Sequence, residues 1–276
     1  MKRLFLLATL SVVISTSFSQ HISSTKTKYP AKSKLRQQTT GNNISTGFMV
    51  NGTIALHALM SISDAHMMKL ADALKILATT DAARSGNWEK IRAPFKELAQ
   101  MNVPAVYWFA LPDGTYWTLD QGKVNAMLSD RKYFPRLLSG EPVMGELVVS
   151  HSTNRNTAIV AVPVRDTNNS VIGALGCSVH LDSLSALIRI EMGGLANDLF
   201  FYSFDAEPLV VLHSDPAIIF IEPMKQEDEG LQQAFKEMLA GKEGTEHYVF
   251  RGVQRTVLYC KSQVSGWWYG LGRIEN

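Results

Sequence analysis

From Gly52 onward, apolar or small side chains recur in steps of three and four. Leu56, Met60, Ser63, Met67, Leu70, Leu74 and Leu77 fall on one stripe, which predicts a helix of some 30 residues. The methionines on that stripe are core residues at this spacing. Gly86-Asn87 interrupts the pattern, and Trp88, Ile91, Phe95 and Leu98 repeat it in a second helix with Asn87 as N-cap. Pro94 inside that run removes a backbone hydrogen bond and predicts a kink there or a later start. After Asn102 the period drops to two. Ala105–Leu111 is an aromatic-rich strand, Pro112-Asp113-Gly114 a turn, and Tyr116–Leu119 the returning arm of a hairpin. Met144–Ser150, Thr157–Arg165 and Val171–His180 are three further strands, separated by polar turns at 153–156 and 166–170. The first half thus reads as two helices packed on an antiparallel sheet of about five strands, with Leu181–Ile190 a connecting helix.

The second half repeats this order in shorter form. Phe204-Asp205-Ala206-Glu207-Pro208-Leu209 parallels Leu111-Pro112-Asp113-Gly114 as strand, turn and strand. Leu239-Ala240-Gly241-Lys242 parallels Leu138-Ser139-Gly140-Glu141 at a helix end, and Tyr269-Gly270-Leu271-Gly272 parallels Gly173-Ala174-Leu175-Gly176 in a last strand. Three matches at similar offsets and in the same order predict two related modules in tandem, of class α+β.

The N-terminus changes the expected location. Lys2 and Arg3, an apolar run from Leu4 to Ile14, and the small residues Ser17 and Ser19 have the order of a secretory signal, 1–19, cleaved near Ser19-Gln20. The run is too short for the ~20 residues that cross a bilayer as a helix. Residues 20–46 carry five basic and no acidic side chains among Ser, Thr, Gln and Asn, a composition that cannot offset its own ordering entropy and reads as a flexible basic linker. The chain of 276 residues is 46% apolar and 19% charged, enough to bury a core. Its net charge of +2 comes from these N-terminal segments; the remainder carries 20 basic and 25 acidic residues. A folded part near −5 argues against a nucleic-acid binder that works by neutralising phosphates. Cys177 and Cys260, the two cysteines, lie in apolar strands of different halves and read as buried thiols, with one bridge the alternative.

The chain resembles the double Cache domains, PAS-like extracytoplasmic sensors of bacterial receptors. The pieces that carry the resemblance are the long first helix, Val106-Tyr107-Trp108-Phe109-Ala110-Leu111-Pro112-Asp113-Gly114, Ser129-Asp130-Arg131-Lys132-Tyr133-Phe134, Ser139-Gly140-Glu141-Pro142-Val143, Ala161-Val162-Pro163-Val164-Arg165-Asp166 and Val171-Ile172-Gly173-Ala174-Leu175-Gly176. In the second half they are Leu239-Ala240-Gly241-Lys242-Glu243-Gly244 and Ser265-Gly266-Trp267-Trp268. The resemblance implies a long N-terminal helix and two Cache modules with antiparallel sheets: a distal-type, ligand-binding one over 47–190 and a proximal-type one over 191–276. It further implies capture of a small extracellular molecule in the first module, beside an Arg-x-aromatic-aromatic signature that here is Arg131, Tyr133 and Phe134. Amino-acid-sensing members carry a tyrosine five residues before the arginine and an aspartate on the last strand. This chain has Ala126 and Ser178 there, and both departures argue against an α-amino acid.

Arginine suits a carboxylate because its planar fork gives two parallel charge-assisted hydrogen bonds. Arg131 is the candidate anchor, and Tyr133 and Phe134 supply an apolar wall with one phenolic handle. The competing role for Arg131 is an internal pair with Asp130 or Glu146. Tyr107 and Trp117 are candidates for the pocket floor, and Ser150, Ser152 and Thr153 for hydroxyl donors at its rim. The second module has no Arg-x-aromatic-aromatic in 213–228, so binding is expected in the first alone.

The sequence carries no catalytic constellation. His57 and His66 are nine apart, His151-Ser152 and His213-Ser214-Asp215 are turn residues rather than triads, and zinc, calcium and phosphate-loop signatures are lacking. No cofactor or metal is expected. The chain ends at Asn276, close after its last predicted strand, so a membrane receptor or transporter partner is expected to carry any output. The alternative is a ligandless scaffold or homodimer paired through the Leu56–Leu77 stripe.

Overall fold

The computed structural model describes residues 51–275, so the expected signal 1–19 and linker 20–46 lie outside the described residues. The first long element, α1 (Gly52–Ala78), is capped by Asn51, whose side chain accepts the Thr53 N–H. A single turn, α2 (Asp81–Arg84), leads to α3 (Trp88–Gln100), capped by Asn87 through the Glu89 N–H at 2.9 Å. Pro94 lies inside α3, and the later start does not occur, because the cap fixes the beginning and Lys90, whose carbonyl Pro94 leaves unpaired, is exposed to water.

Two antiparallel sheets follow. The first contains β1 (Ala105–Ala110), β2 (Thr115–Thr118), β3 (Gly122–Met127), β4 (Val143–Val149), β5 (Asn156–Arg165) and β6 (Val171–His180), in the order β3-β2-β1-β6-β5-β4. It has six strands rather than five. A short helix, α4 (Phe134–Leu138), precedes β4, and α5 (Leu181–Glu191) leads to the second sheet. That sheet contains β7 (Leu199–Phe204), β8 (Val210–His213), β9 (Glu243–Phe250), β10 (Val253–Lys261) and β11 (Trp268–Ile274), with α6 (Glu229–Ala240) before β9. Its order, β8-β7-β11-β10-β9, is that of the first sheet with the edge strand β3 left out.

One apolar core is shared. The α1 stripe, together with Trp88, Ile91 and Phe95 of α3, packs against Tyr107, Phe109, Val160, Val162, Leu175 and Cys177 of the first sheet, and the same cluster takes in Phe201, Tyr269 and Leu271 of the second. Each sheet has a separate core on its other face. Trp108, Tyr116 and Ile159 pack with α4 on the first, while Phe200, Tyr202 and Phe204 pack with α6 on the second. Strand alternation makes this possible, since successive side chains point to opposite faces. The α1 stripe is therefore spent on the chain's own sheets, with Leu59 and Leu74 fully buried, and is not the open face that pairing with a partner helix would need. Both cysteines are free and buried, with Cys260 Sγ 3.6 Å from Met60 Sδ.

Two glycines set close approaches. Gly176 faces Trp108 across the β1–β6 register, and a Cβ there would meet the indole at 2.2 Å. Gly145 sits at φ +82° in the irregular part of β4 and carries Trp267, whose Nε1–H donates to the Gly145 carbonyl at 3.3 Å. This indole is the seam between the sheets.

A polar network also anchors α1. Asp64 is 7% exposed and accepts from Ser262 Oγ at 2.7 Å and Ser265 Oγ at 3.1 Å, while the Tyr269 hydroxyl donates to Ser63 Oγ at 2.8 Å. Burial raises the Asp64 pKa, and the hydroxyl donors pull it back only in part. The folded chain therefore holds this proton at pH values where the unfolded chain has released it. Stability from this site is full below the ordinary carboxylate pKa and is lost as pH rises through the raised one. Urea midpoints of wild type, measured against Asp64→Asn from pH 3 upward, should fall across that window; a gap constant with pH would contradict the assignment.

Candidate functional site

The segment between β3 and β4 folds over the face of the first sheet opposite α1. The Leu128 N–H donates to the Gly114 carbonyl at 2.8 Å, the Arg131 N–H to Leu128 at 3.0 Å, and the Phe134 N–H to Arg131 at 3.0 Å. These turns set Arg131 and Tyr133 above Trp108, Tyr116 and Ser178, where with Thr118, Ser150, His151 and Ser152 they line a cavity of about 20 Å³. That is room for one water.

Arg131 is shared by the walls of this cavity and a larger one. With Tyr133 and Val148 it also lines a cleft of about 630 Å³ between the sheets, whose other walls include Asp130, Glu146, Asp205, Glu207 and Trp267. The Arg131 side chain is 18% exposed, its Nη2–H donates to the Val149 carbonyl at 2.8 Å, and its Nε lies 3.9 Å from Asp130. Asp130 is closer to His151 Nε2, at 3.2 Å, and Glu146 faces Arg136 at 3.8 Å. The guanidinium is thus held mainly by a neutral carbonyl. Burial pushes the Tyr133 and Tyr116 phenols above their ordinary pKa, against the pull of the Arg131 charge, so both remain protonated donors.

Ser150, Ser152 and Ser178 line the cavity; Ser150 Oγ and Ser152 Oγ are 3.2 Å apart. Four candidates lie away from the cavity. Tyr107 and Trp117 point to the α1 side, where Tyr107 packs on Phe95 with ring centroids 5.7 Å apart and Trp117 stacks on Phe109 at 6.2 Å. Their neighbours Trp108 and Tyr116 take the cavity instead, one residue along in each strand, as the period of two requires. Phe134 begins α4 and turns into the core with Leu137. Thr153 is not on the cavity wall; its buried hydroxyl has no partner among the described residues. Sequence reasoning also missed Thr118 and His151. Among the described residues no group of three His, Cys, Asp or Glu side chains could hold a metal ion.

No family model and no curated protein matches the chain. Solved structures do. The ligand-binding domain of the Pseudomonas aeruginosa PAO1 amino acid chemoreceptor PctB, in complex with L-Arg, superposes with a TM-score of 0.64 at 14% identity, over 81% of this chain and 93% of that one. The fold is that of the Cache sensor domains. The sensor domain of the V. cholerae histidine kinase DctB shares this Cache fold at a TM-score of 0.60, 14% identity, 82% of this chain and 96% of that one. The sensory domain of the Campylobacter jejuni chemoreceptor Tlp3, with isoleucine bound, does so at 0.56, 11% identity, 81% and 89%. Among the described residues of this Cache fold, no helix is long and apolar enough to cross a membrane.

Proposed function

We propose that the chain is an extracytoplasmic small-molecule binding and sensing protein without catalytic activity. It consists of a secretion signal over 1–19, a basic linker over 20–46, a ligand-binding Cache module over 47–190 and a second, proximal-type module over 191–276. The ligand is a small carboxylate-bearing metabolite held by Arg131, with Tyr133, Ser150, Ser152 and Ser178 around it, and a membrane receptor or transporter partner reads the occupied state.

The observation that carries this reading is the position of Arg131 on the walls of both the small cavity and the larger cleft, with its one hydrogen bond given to a neutral carbonyl. A carboxylate is the stronger acceptor, because both partners are then charged and two parallel bonds form. A ligand arriving through the cleft would take the guanidinium from Val149, and withdrawal of the side chain would join the two spaces. PctB and Tlp3 were solved with amino acids. Here Ser178 lines the cavity and Ala126, on β3, packs on the same face, so no side-chain carboxylate meets an ammonium group at position 178.

A second reading, a ligandless interaction module, draws on the size of the cavity, which takes one water as it stands. Thermal melting against a metabolite panel separates the two. A ligand at 100 times its Kd adds about 2.7 kcal/mol of stability, so carboxylates lacking an α-amino group should raise Tm by several degrees while α-amino acids should not. Ser178→Asp should shift the preference toward α-amino acids. A panel with no response at all would favour the ligandless module.

A further inference from the structure

The second sheet holds a hollow of its own, on the face away from α1. Phe200 and Tyr202 of β7, Val210 and His213 of β8, Phe235 of α6 and Arg255 of β10 line a space of about 50 Å³, with Ile218, Ile221 and Phe250 also on its walls. At 10–15 Å³ for each water, it takes a guest of three to five heavy atoms.

Arg255 is the unusual wall. Its guanidinium lies 4.8 Å from the centre of the Phe200 ring and 5.2 Å from that of Phe250. Among the described residues it forms no ion pair, and its buried Nε has no hydrogen-bond partner. Contact with two aromatic faces offsets part of the cost of removing this cation from water but satisfies none of its N–H donors.

His213 supplies a second donor. Its Nδ1 accepts the Asp215 N–H at 2.8 Å, and burial holds the ring neutral by pushing its pKa down to about 4, so the ring proton sits on Nε2. The imidazole lies nearly parallel to the Phe200 and Tyr202 rings, offset beside them with ring centroids 6.5 and 6.4 Å away. Donors on two strands therefore meet apolar walls, with no acidic side chain lining the hollow.

We propose that this hollow is a second binding site, independent of Arg131, for a small monocarboxylate with a short apolar tail. The carboxylate takes the Arg255 fork and the His213 N–H, and the tail lies against Val210, Ile218 and Phe235. An inorganic anion of similar charge would leave those apolar walls without contact, which sets the direction of selectivity.

The test is calorimetric titration of the full chain with sodium propionate, with sodium sulfate at equal ionic strength as the control. Wild type should bind propionate saturably, and Arg131→Ala, which leaves this hollow as the remaining site, should do so with one-to-one stoichiometry. Arg255→Gln should weaken binding at least tenfold. His213→Phe keeps the ring stack and removes the donor, and should weaken binding severalfold; if Arg255→Gln does not fold, this variant decides. The proposal is overturned if wild type shows no saturable binding, if sulfate binds as tightly as propionate, if His213→Phe binds unchanged, or if Arg131→Ala abolishes binding. Since Arg131→Ala leaves this hollow untouched, failure here and failure of the first-sheet site are read from different variants.

Discussion

Arg131→Ala should leave the fold standing and weaken capture of a carboxylate by roughly ten- to a hundredfold, or abolish it where the native affinity is modest. The structural cost is small, because the side chain makes one hydrogen bond to a carbonyl and a 3.9 Å contact with an Asp130 that is itself 60% exposed. Exposed pairs of that kind contribute about 0–1 kcal/mol. The cost in binding is larger, since a hydrogen bond between charged groups is worth about 1.5–3 kcal/mol and each 1.4 kcal/mol is a factor of ten in Kd. Arg131→Lys should recover only part of the loss, because an ammonium is a point charge and cannot present a fork. Calorimetric titration with the best carboxylate of the melting panel measures this, with urea denaturation of each variant alongside. Equal affinity in wild type and Arg131→Ala would remove the guanidinium from the site.

The largest loss of stability is expected at Trp267. Its side chain is 2% exposed, lies on the backbone of Gly145 and donates to that carbonyl, and its backbone carbonyl accepts the Ser262 N–H at 2.8 Å. Truncating a buried tryptophan costs about 3–5 kcal/mol, made up of lost transfer energy and the void left behind. Here the void would open at the seam between the two sheets, beside the cleft. Trp267→Ala should therefore lower the urea midpoint strongly. Trp267→Phe should recover most of the apolar contact but not the bond to Gly145. A loss under about 1 kcal/mol for the alanine variant would mean that the seam is hydrated rather than packed.

The helix and the hairpin of the first half were readable from different signals. Leu56, Leu70, Leu74 and Leu77 announce α1 by spacing, and Pro112-Asp113-Gly114 announces the β1–β2 hairpin by turn chemistry. β3 escaped because Gly-Lys-Val-Asn-Ala-Met is an edge strand with one half-exposed face, so its apolar alternation is faint. The candidate site was legible at Arg131 and Tyr133, which one turn brings together, and illegible at Trp108 and Tyr116. With aromatic residues at 107, 108 and 109, alternation says that neighbours face opposite ways without saying which way is which, and only packing on α3 decides. Arg255 was beyond reach for another reason. Its neighbours Phe200 and His213 lie 55 and 42 residues away, and the antiparallel ladders bring them alongside.

The two sheets share a single spine. Twenty-seven residues of α1 at 1.5 Å each make a rod about 40 Å long, and such a rod tilts or slides far more readily than it stretches. A guest that shifts the rod's seat on one sheet alters the work of unseating it from the other. By reciprocity, whatever grips the rod elsewhere must change the guest's affinity by the same factor.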